Sequence, residues 1–233
     1  MEESKQAKIA RVLRLPSLAN WARHNFRRFD DTRRRVQHLA DFAPKHSLTA
    51  VYGICADIAC RKLRPSKIEE RISEIENPFA RIAAREIIPR FLELARERKF
   101  DAILRVGVGT LPLPIGRGPS GKPLTIPIRP AFILIEDEGL TPVFMVGWAR
   151  LALIDYQKQL MATILERSFL TQQDYLGRHA EILCLPRIKR TRHREAISWR
   201  TNEIELLTNE QISDQFDRYS RAVRDVVRAL EES

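Results

Sequence analysis

The chain has 233 residues, 44% hydrophobic and 30% charged, and its 40 Lys and Arg against 30 Asp and Glu leave a net charge of +10. That length and balance suffice for a sizeable core and exclude an intrinsically disordered chain. No apolar run approaches the roughly 18–20 residues needed to cross a bilayer, and an odd count of three cysteines argues against a disulfide framework.

The opening Met1-Glu-Glu-Ser-Lys5 is acidic and polar, with no apolar signal region behind it, so a cytoplasmic protein with no membrane partner is expected. Residues 1–64 carry 14 Lys and Arg against 6 Asp and Glu, a net +8, whereas the remainder carries 26 against 24. A basic N-terminal region on a near-neutral body points to a polyanion, with nucleic acid the first candidate; a solubility feature is the alternative.

Residues 4–15 predict a short helix with Ile9, Val12 and Leu13 on one face, stopped by Pro16. Ser17 is placed to cap a second helix carrying Leu18, Trp21, Ala22 and Phe26, with Arg23, Arg27 and Arg28 beside them. Asp30-Asp31-Thr32 predicts another helix start, and Arg33, Arg34 and Arg35 precede the stripe Val36, Leu39 and Phe42. A more buried helix spans 47–63, and Pro65-Ser66 leads into a further one over 67–75. Cys55 and Cys60 lie five apart with no second pair at zinc-ligand spacing, so they are expected as buried thiols, with no metal. No glycine turn separates two helices of recognition character, so the arginines are either a solvated face or phosphate contacts.

Pro78 opens a helix with the expected core stripe Phe79, Ile82, Ala83, Ile87, Phe91 and Leu94, and Pro89 should kink it. Glu86 lies beside that stripe, where pairing with Arg90 four residues on is the local expectation. Ala102 to Val108 predicts a strand. Gly116-Arg-Gly-Pro-Ser-Gly-Lys-Pro123 nearly spells a P-loop, but Pro123 stands where Ser or Thr would reach Mg²⁺, and an extended run follows instead of a helix. A loop joining two strands is the better reading.

From Ile128 to Leu185 the pattern is strand, turn at Glu136-Asp-Glu-Gly139, strand at Val143–Ala149, helix over 151–170 and strand at Ala180–Leu185. Within that helix the stripe is Leu153, Ile154, Leu160, Met161, Ile164 and Leu165, with Gln157 expected at its edge. The basic run Arg187, Lys189, Arg190, Arg192, His193 and Arg194 follows, then Trp199, a combination that suits backbone contact with stacking on nucleic acid, or a solvated loop. Thr208-x-x-Gln211 caps a last helix with Ile212, Phe216, Tyr219, Val223, Val226 and Leu230 on one face, which docks on the core or on a partner protein.

The order helix, strand, strand, helix, strand over Pro78–Arg187, with Pro130 opening a strand, resembles the restriction-endonuclease-like PD-(D/E)XK superfamily. The resemblance implies an α/β (α+β) fold: a mixed-sheet nuclease-like core at 76–233, ending in the amphipathic helix, preceded by a basic helical region at 1–75. It further implies Pro-Asp at the start of the second core strand and Glu-x-Lys on the third, holding Mg²⁺, with a Glu from the preceding helix able to reach the metal. This chain has Ala131 after Pro130, and Gly147, Trp148, Ala149 and Arg150 where Glu-x-Lys would lie. Alanine and glycine supply no oxygen to a hard cation. The expectation is therefore a nucleic-acid-binding pseudo-nuclease, with DNA ahead of RNA, no catalytic residue, no metal and no cofactor. Its expected contacts are Arg33, Arg34, Arg35, Arg187, Lys189, Arg190, Arg192 and Arg194. The alternatives are an active Mg²⁺-dependent nuclease with carboxylates migrated to Glu86, Glu136, Asp137, Glu138 or Asp155, and an adaptor subunit binding a protein through the last helix.

Overall fold

The computed structural model describes residues 3–14, 17–42, 47–103, 110–136, 139–150 and 153–233. Five short helices come first: α1 (Lys5–Leu13), α2 (Leu18–Arg23), α3 (Phe29–Asp41), α4 (Thr49–Ala59) and α5 (Ile68–Ser73). The long α6 (Pro78–Glu97) leads to β1 (Ala102–Ile103), β2 (Leu111–Arg117), β3 (Pro123–Ile128), β4 (Phe132–Glu136) and β5 (Gly139–Val146). Then come α7 (Asp155–Ile164), β6 (Glu181–Cys184), β7 (Ile197–Arg200) and α8 (Asn209–Glu232). Of the strand expected over Ala102–Val108, only β1 lies within the described residues.

The fold is α+β. Five strands form one sheet in the order β1-β4-β5-β6-β7, antiparallel except for the parallel pair β5 and β6. A parallel neighbour requires a crossover, and α7 supplies it. The expected hairpin is the β4–β5 pair, with Phe132 opposite Val143 and Glu136 opposite Gly139; Asp137 and Glu138 at its turn lie outside the described residues.

Strand residues alternate between two cores, as a pleat with both faces covered demands. Phe132, Leu134, Val143, Met145 and Leu183 face α4, α5 and α6. Ile133, Phe144, Val146, Ile182 and Cys184 face the opposite layer, built from α1, α2, α3, α7, α8 and the β2–β3 hairpin. The first 75 residues thus divide between the two faces of the sheet, α1–α3 on one and α4–α5 on the other.

Local signals explain most boundaries. Ser17 accepts from the Asn20 N–H to cap α2, and Asn77 accepts from Phe79 and Ala80 ahead of Pro78, which fits the first helical turn. Thr208 and Gln211 close the expected capping box on α8. The glycine-rich segment turns between β2 and β3, with Gly121 at φ 74° and Gly118 N–H bonded to the Lys122 carbonyl. Gly116 matters for packing instead, because a Cβ there would collide with Ser220 Oγ; its bareness lets α8 lie against the hairpin.

Three apolar expectations need correction. Phe79 and Ile82 are half-exposed, because α6 packs through Ala80, Ala83, Ala84, Ile87, Ile88, Phe91 and Leu94, where small residues allow close approach. The helix continues through Pro89, which sits on the exposed side. Ile154 is also half-exposed, since α7 begins only at Asp155; its last turn widens into a π-helical turn over Leu165–Phe169. The apolar stripe of α8 is consumed inside the chain, with Ile212, Tyr219, Val223, Val226 and Leu230 all in the core. Among the described residues no helix is long and apolar enough to cross a membrane.

Candidate functional site

Beyond Val146 the β5 chain leaves the sheet as Gly147-Trp148-Ala149-Arg150, and contacts from both ends of the sequence meet there. The Gly147 N–H donates to Tyr52 Oη of α4 at 2.7 Å. Arg194 Nη1 donates to the carbonyls of Gly147, Trp148 and Leu185 at 3.2, 3.1 and 2.7 Å. Its Nε and Nη2 reach Glu86 Oε2 at 3.2 and 2.8 Å. Arg187 grips the same carboxylate in bidentate fashion, Nε to Oε2 at 2.7 Å and Nη2 to Oε1 at 2.6 Å. The Arg194 and Glu86 side chains are only 2% and 7% exposed, so a low-dielectric setting holds one carboxylate between two guanidinium groups.

This clamp departs from the expected Glu86–Arg90 pairing; Arg90 bonds instead to Glu93 and Glu97. Burial alone would push the Glu86 pKa up, but hydrogen bonds from Arg187 and Arg194, with their charges, hold the carboxyl below its ordinary range. A carboxylate already neutralised by two guanidinium groups is a poor ligand for a further cation, which their positive charges repel. Nor do the motif positions help. Ala131 packs against the core, and a Cβ on Gly147 would already stand 2.9 Å from Ile87 Cδ1, a side chain with no exposure. The residues present therefore do not fit the Mg²⁺ site that the resemblance implies. Among the described residues no group of three or more His, Cys, Asp or Glu could hold a metal.

The migrated carboxylates do not rebuild it. Glu136 sits at the other end of β5, about 25 Å away by strand rise, and takes Arg200 and the Thr141 hydroxyl. Asp155 is exposed and pairs with Lys158. Asp137 and Glu138 fall outside the described residues. Cys55 and Cys184 are buried and Cys60 is half-buried, all three as free thiols.

The two basic runs are each split by geometry. Arg187 and Arg194 pair across an antiparallel bridge, forming the base of a turn whose tip carries exposed Lys189, Arg190 and Arg192. Arg190 takes a left-handed φ of 65° to close it. Arg194, expected to contact a polyanion, is buried and spent on Glu86 and three carbonyls, and Arg187, across the bridge, is bonded to the same carboxylate while partly exposed. In α3, successive residues rotate by about 100°, so Arg33, Arg34 and Arg35 fan around the helix instead of sharing a face. Arg34 pairs with Asp31, Arg35 lies over the Phe26 ring at 5.7 Å, and Arg33 is exposed. Trp199, expected as a stacking platform, is buried in β7 beneath Lys158.

Residues outside the expected contact set complete the site. The Arg23 guanidinium lies 4.8 Å over the Trp148 ring. Gln157, expected at a helix edge, is buried and donates to the Arg23 and Asn25 carbonyls at 3.2 and 3.0 Å, pinning the turn after α2 to α7. Nothing in local sequence marks Trp148 as a meeting point; the only signal was its place in a failed motif.

Next to Arg23, burial and then the charges of Arg23, Arg35 and His38 lower the His24 pKa from its ordinary value of 6.5 to about 4. His24 is neutral in the fold but protonates in the unfolded chain below its ordinary value. Between pH 6.5 and 4 the unfolded chain binds the extra proton, so stability falls as pH falls. We expect urea unfolding at pH 7 and pH 4.5 to show a smaller acid loss in His24→Asn than in the wild type. Equal losses would remove His24 from the account.

A scan against protein-family models, a search of curated proteins and a search of solved structures each gave no significant match.

Proposed function

We propose that the protein binds nucleic acid, DNA in preference to RNA, through the basic rim at the end of β5, on a nuclease-like core that has exchanged its metal site for an arginine clamp. The observation that carries the reading is the convergence on Trp148. Arg23 from the N-terminal helices covers its ring, Arg194 from the β6–β7 turn holds its carbonyl, and the Arg187 N–H bonds to the Ala149 carbonyl beside it. Two basic segments far apart in sequence thereby meet at one element, and Arg23, Arg35, Lys189, Arg190 and Arg192 on them are exposed. The helix, hairpin, crossover helix and parallel strand (α6, β4–β5, α7, β6) support descent from a PD-(D/E)XK nuclease. Free thiols fit a reducing compartment, and on that ground we assign the protein to the cytoplasm.

The test is binding of labelled single- and double-stranded DNA and RNA at two salt concentrations with Mg²⁺ present, product lengths being checked in the same tubes. Four to five phosphate contacts predict an affinity loss of roughly 100- to 500-fold over a fourfold rise in salt, with intact substrate. Affinity indifferent to salt would sink the reading, and Mg²⁺-dependent cleavage would transfer the protein to the active nucleases.

A further inference from the structure

We propose that Arg23, His24, Arg35 and His38 form a binding site for a phosphate oxyanion. The inference rests on the nucleic-acid reading only for the source of that phosphate, a backbone phosphate as against free phosphate.

Three observations assemble the site. Arg23 and His24 are adjacent at the end of α2, and Arg35 and His38 lie three apart on α3, one turn along the same face. Arg35 leans over Phe26 in the turn between those helices, and Gln157 ties down that turn through the Arg23 and Asn25 carbonyls. The four side chains are thus presented by a fixed corner, with the Trp148 ring walling off one side of Arg23.

The second observation is an absence of counter-charge. Arg11, Arg34, Arg187, Arg194, Arg200 and Arg218 each pair with a carboxylate. Among the described residues, none of the four corner side chains does; on α3, Asp31 pairs with Arg34 and Asp41 accepts from Gln37. The Arg23 and Arg35 guanidinium groups repel one another without an anion between them, and that repulsion is relieved when an anion binds.

Third, His24 Nδ1 is buried with no hydrogen-bond partner. A ring nitrogen held from water without a partner is costly, and the neutral imidazole can carry its one N–H on Nδ1 and donate it to an oxyanion. Two guanidinium forks and two imidazoles offer N–H donors from several directions. A tetrahedral phosphate with multiple anionic oxygens accepts such an array better than a planar carboxylate does.

The test follows the histidine ring ¹⁵N resonances of the full chain while inorganic phosphate, and separately a single-stranded oligodeoxynucleotide, is titrated in. Wild type and an Arg23→Gln/Arg35→Gln variant are compared, with the variant's fold checked by circular dichroism. The expected result is a saturable shift of the His24 signals with both probes, lost in the variant. Oligonucleotide affinity should fall about tenfold per arginine, and the salt slope should flatten by about one per arginine. Oligonucleotide binding that leaves His24 unmoved and is untouched by the variant overturns the site while the nucleic-acid reading stands. A phosphate-induced His24 shift without oligonucleotide binding keeps the oxyanion site, assigns it to free phosphate and overturns the nucleic-acid reading. No shift with either probe overturns the site.

Discussion

Glu86→Ala is expected to lower the stability of the protein by about 3–5 kcal/mol, because it leaves the buried Arg194 guanidinium without its counter-charge. For a chain of this size that is a fall in melting temperature of roughly 10 °C or more. The cost comes from stranding a charge rather than from losing an attraction, and this distinction can be measured. A Glu86→Leu/Arg194→Met double variant removes both charges and should be more stable than either single variant, whereas independent contributions would make it worse. The clamp also has a pH signature. Because the folded pKa of Glu86 is depressed, its contribution is complete above the ordinary carboxylate range and is lost as pH falls through the folded value. Finally, Mg²⁺ should leave the melting temperature of the wild type unchanged. Stabilisation by Mg²⁺ that disappears with Glu86→Ala would mean that the carboxylate holds a metal after all.

Trp21→Ala should cost a similar amount, about 3–5 kcal/mol, for a different reason. Trp21 is fully buried and its ring meets Phe216 and Tyr219 at 5.6 and 6.0 Å, so one side chain joins α2 to α8. Truncation opens a cavity in the layer that also orients Arg23 and His24, and chemical denaturation would read the loss. Trp21→Phe keeps an aromatic ring there and removes an indole N–H that has no acceptor, so it should cost far less. If the alanine variant were as stable as the wild type, the N-terminal helices would be a detachable appendage and not part of the core.

The strand-turn-strand-helix-strand unit was legible because each element carries its own period and boundary signals. The β4–β5 hairpin, the rejected P-loop and the α8 capping box were all local facts. What stayed hidden was pairing at a distance. Glu86 meets partners 101 and 108 positions away, and no rule of local spacing could prefer them over Arg90. The run Arg187 to Arg194 reads as one charge patch, but the bridge between its ends turns Arg194 inward and Lys189, Arg190 and Arg192 outward. Gln157 interrupts an apolar stripe because it satisfies two carbonyls of a remote turn, and polarity alone does not reveal its partner. Phe79 and Ile82 misled in the opposite way. Size suggested burial, while alanines one position on set the actual contact face of α6.

The layer shared by α2, α3 and α8 governs how the chain is born as well as how it rests. Asn25 and Gln215 are both fully buried and hydrogen-bonded to each other across 190 positions, so Asn25 finds its partner only once synthesis has reached α8. At 5–20 residues per second that wait is about 10–40 s. Throughout it Trp21, Val36 and Ala40 lack the helix that covers them. Late closure by α8 leaves that apolar surface open to association with neighbouring chains in the meantime. The net +8 of residues 1–64 opposes such association by like-charge repulsion.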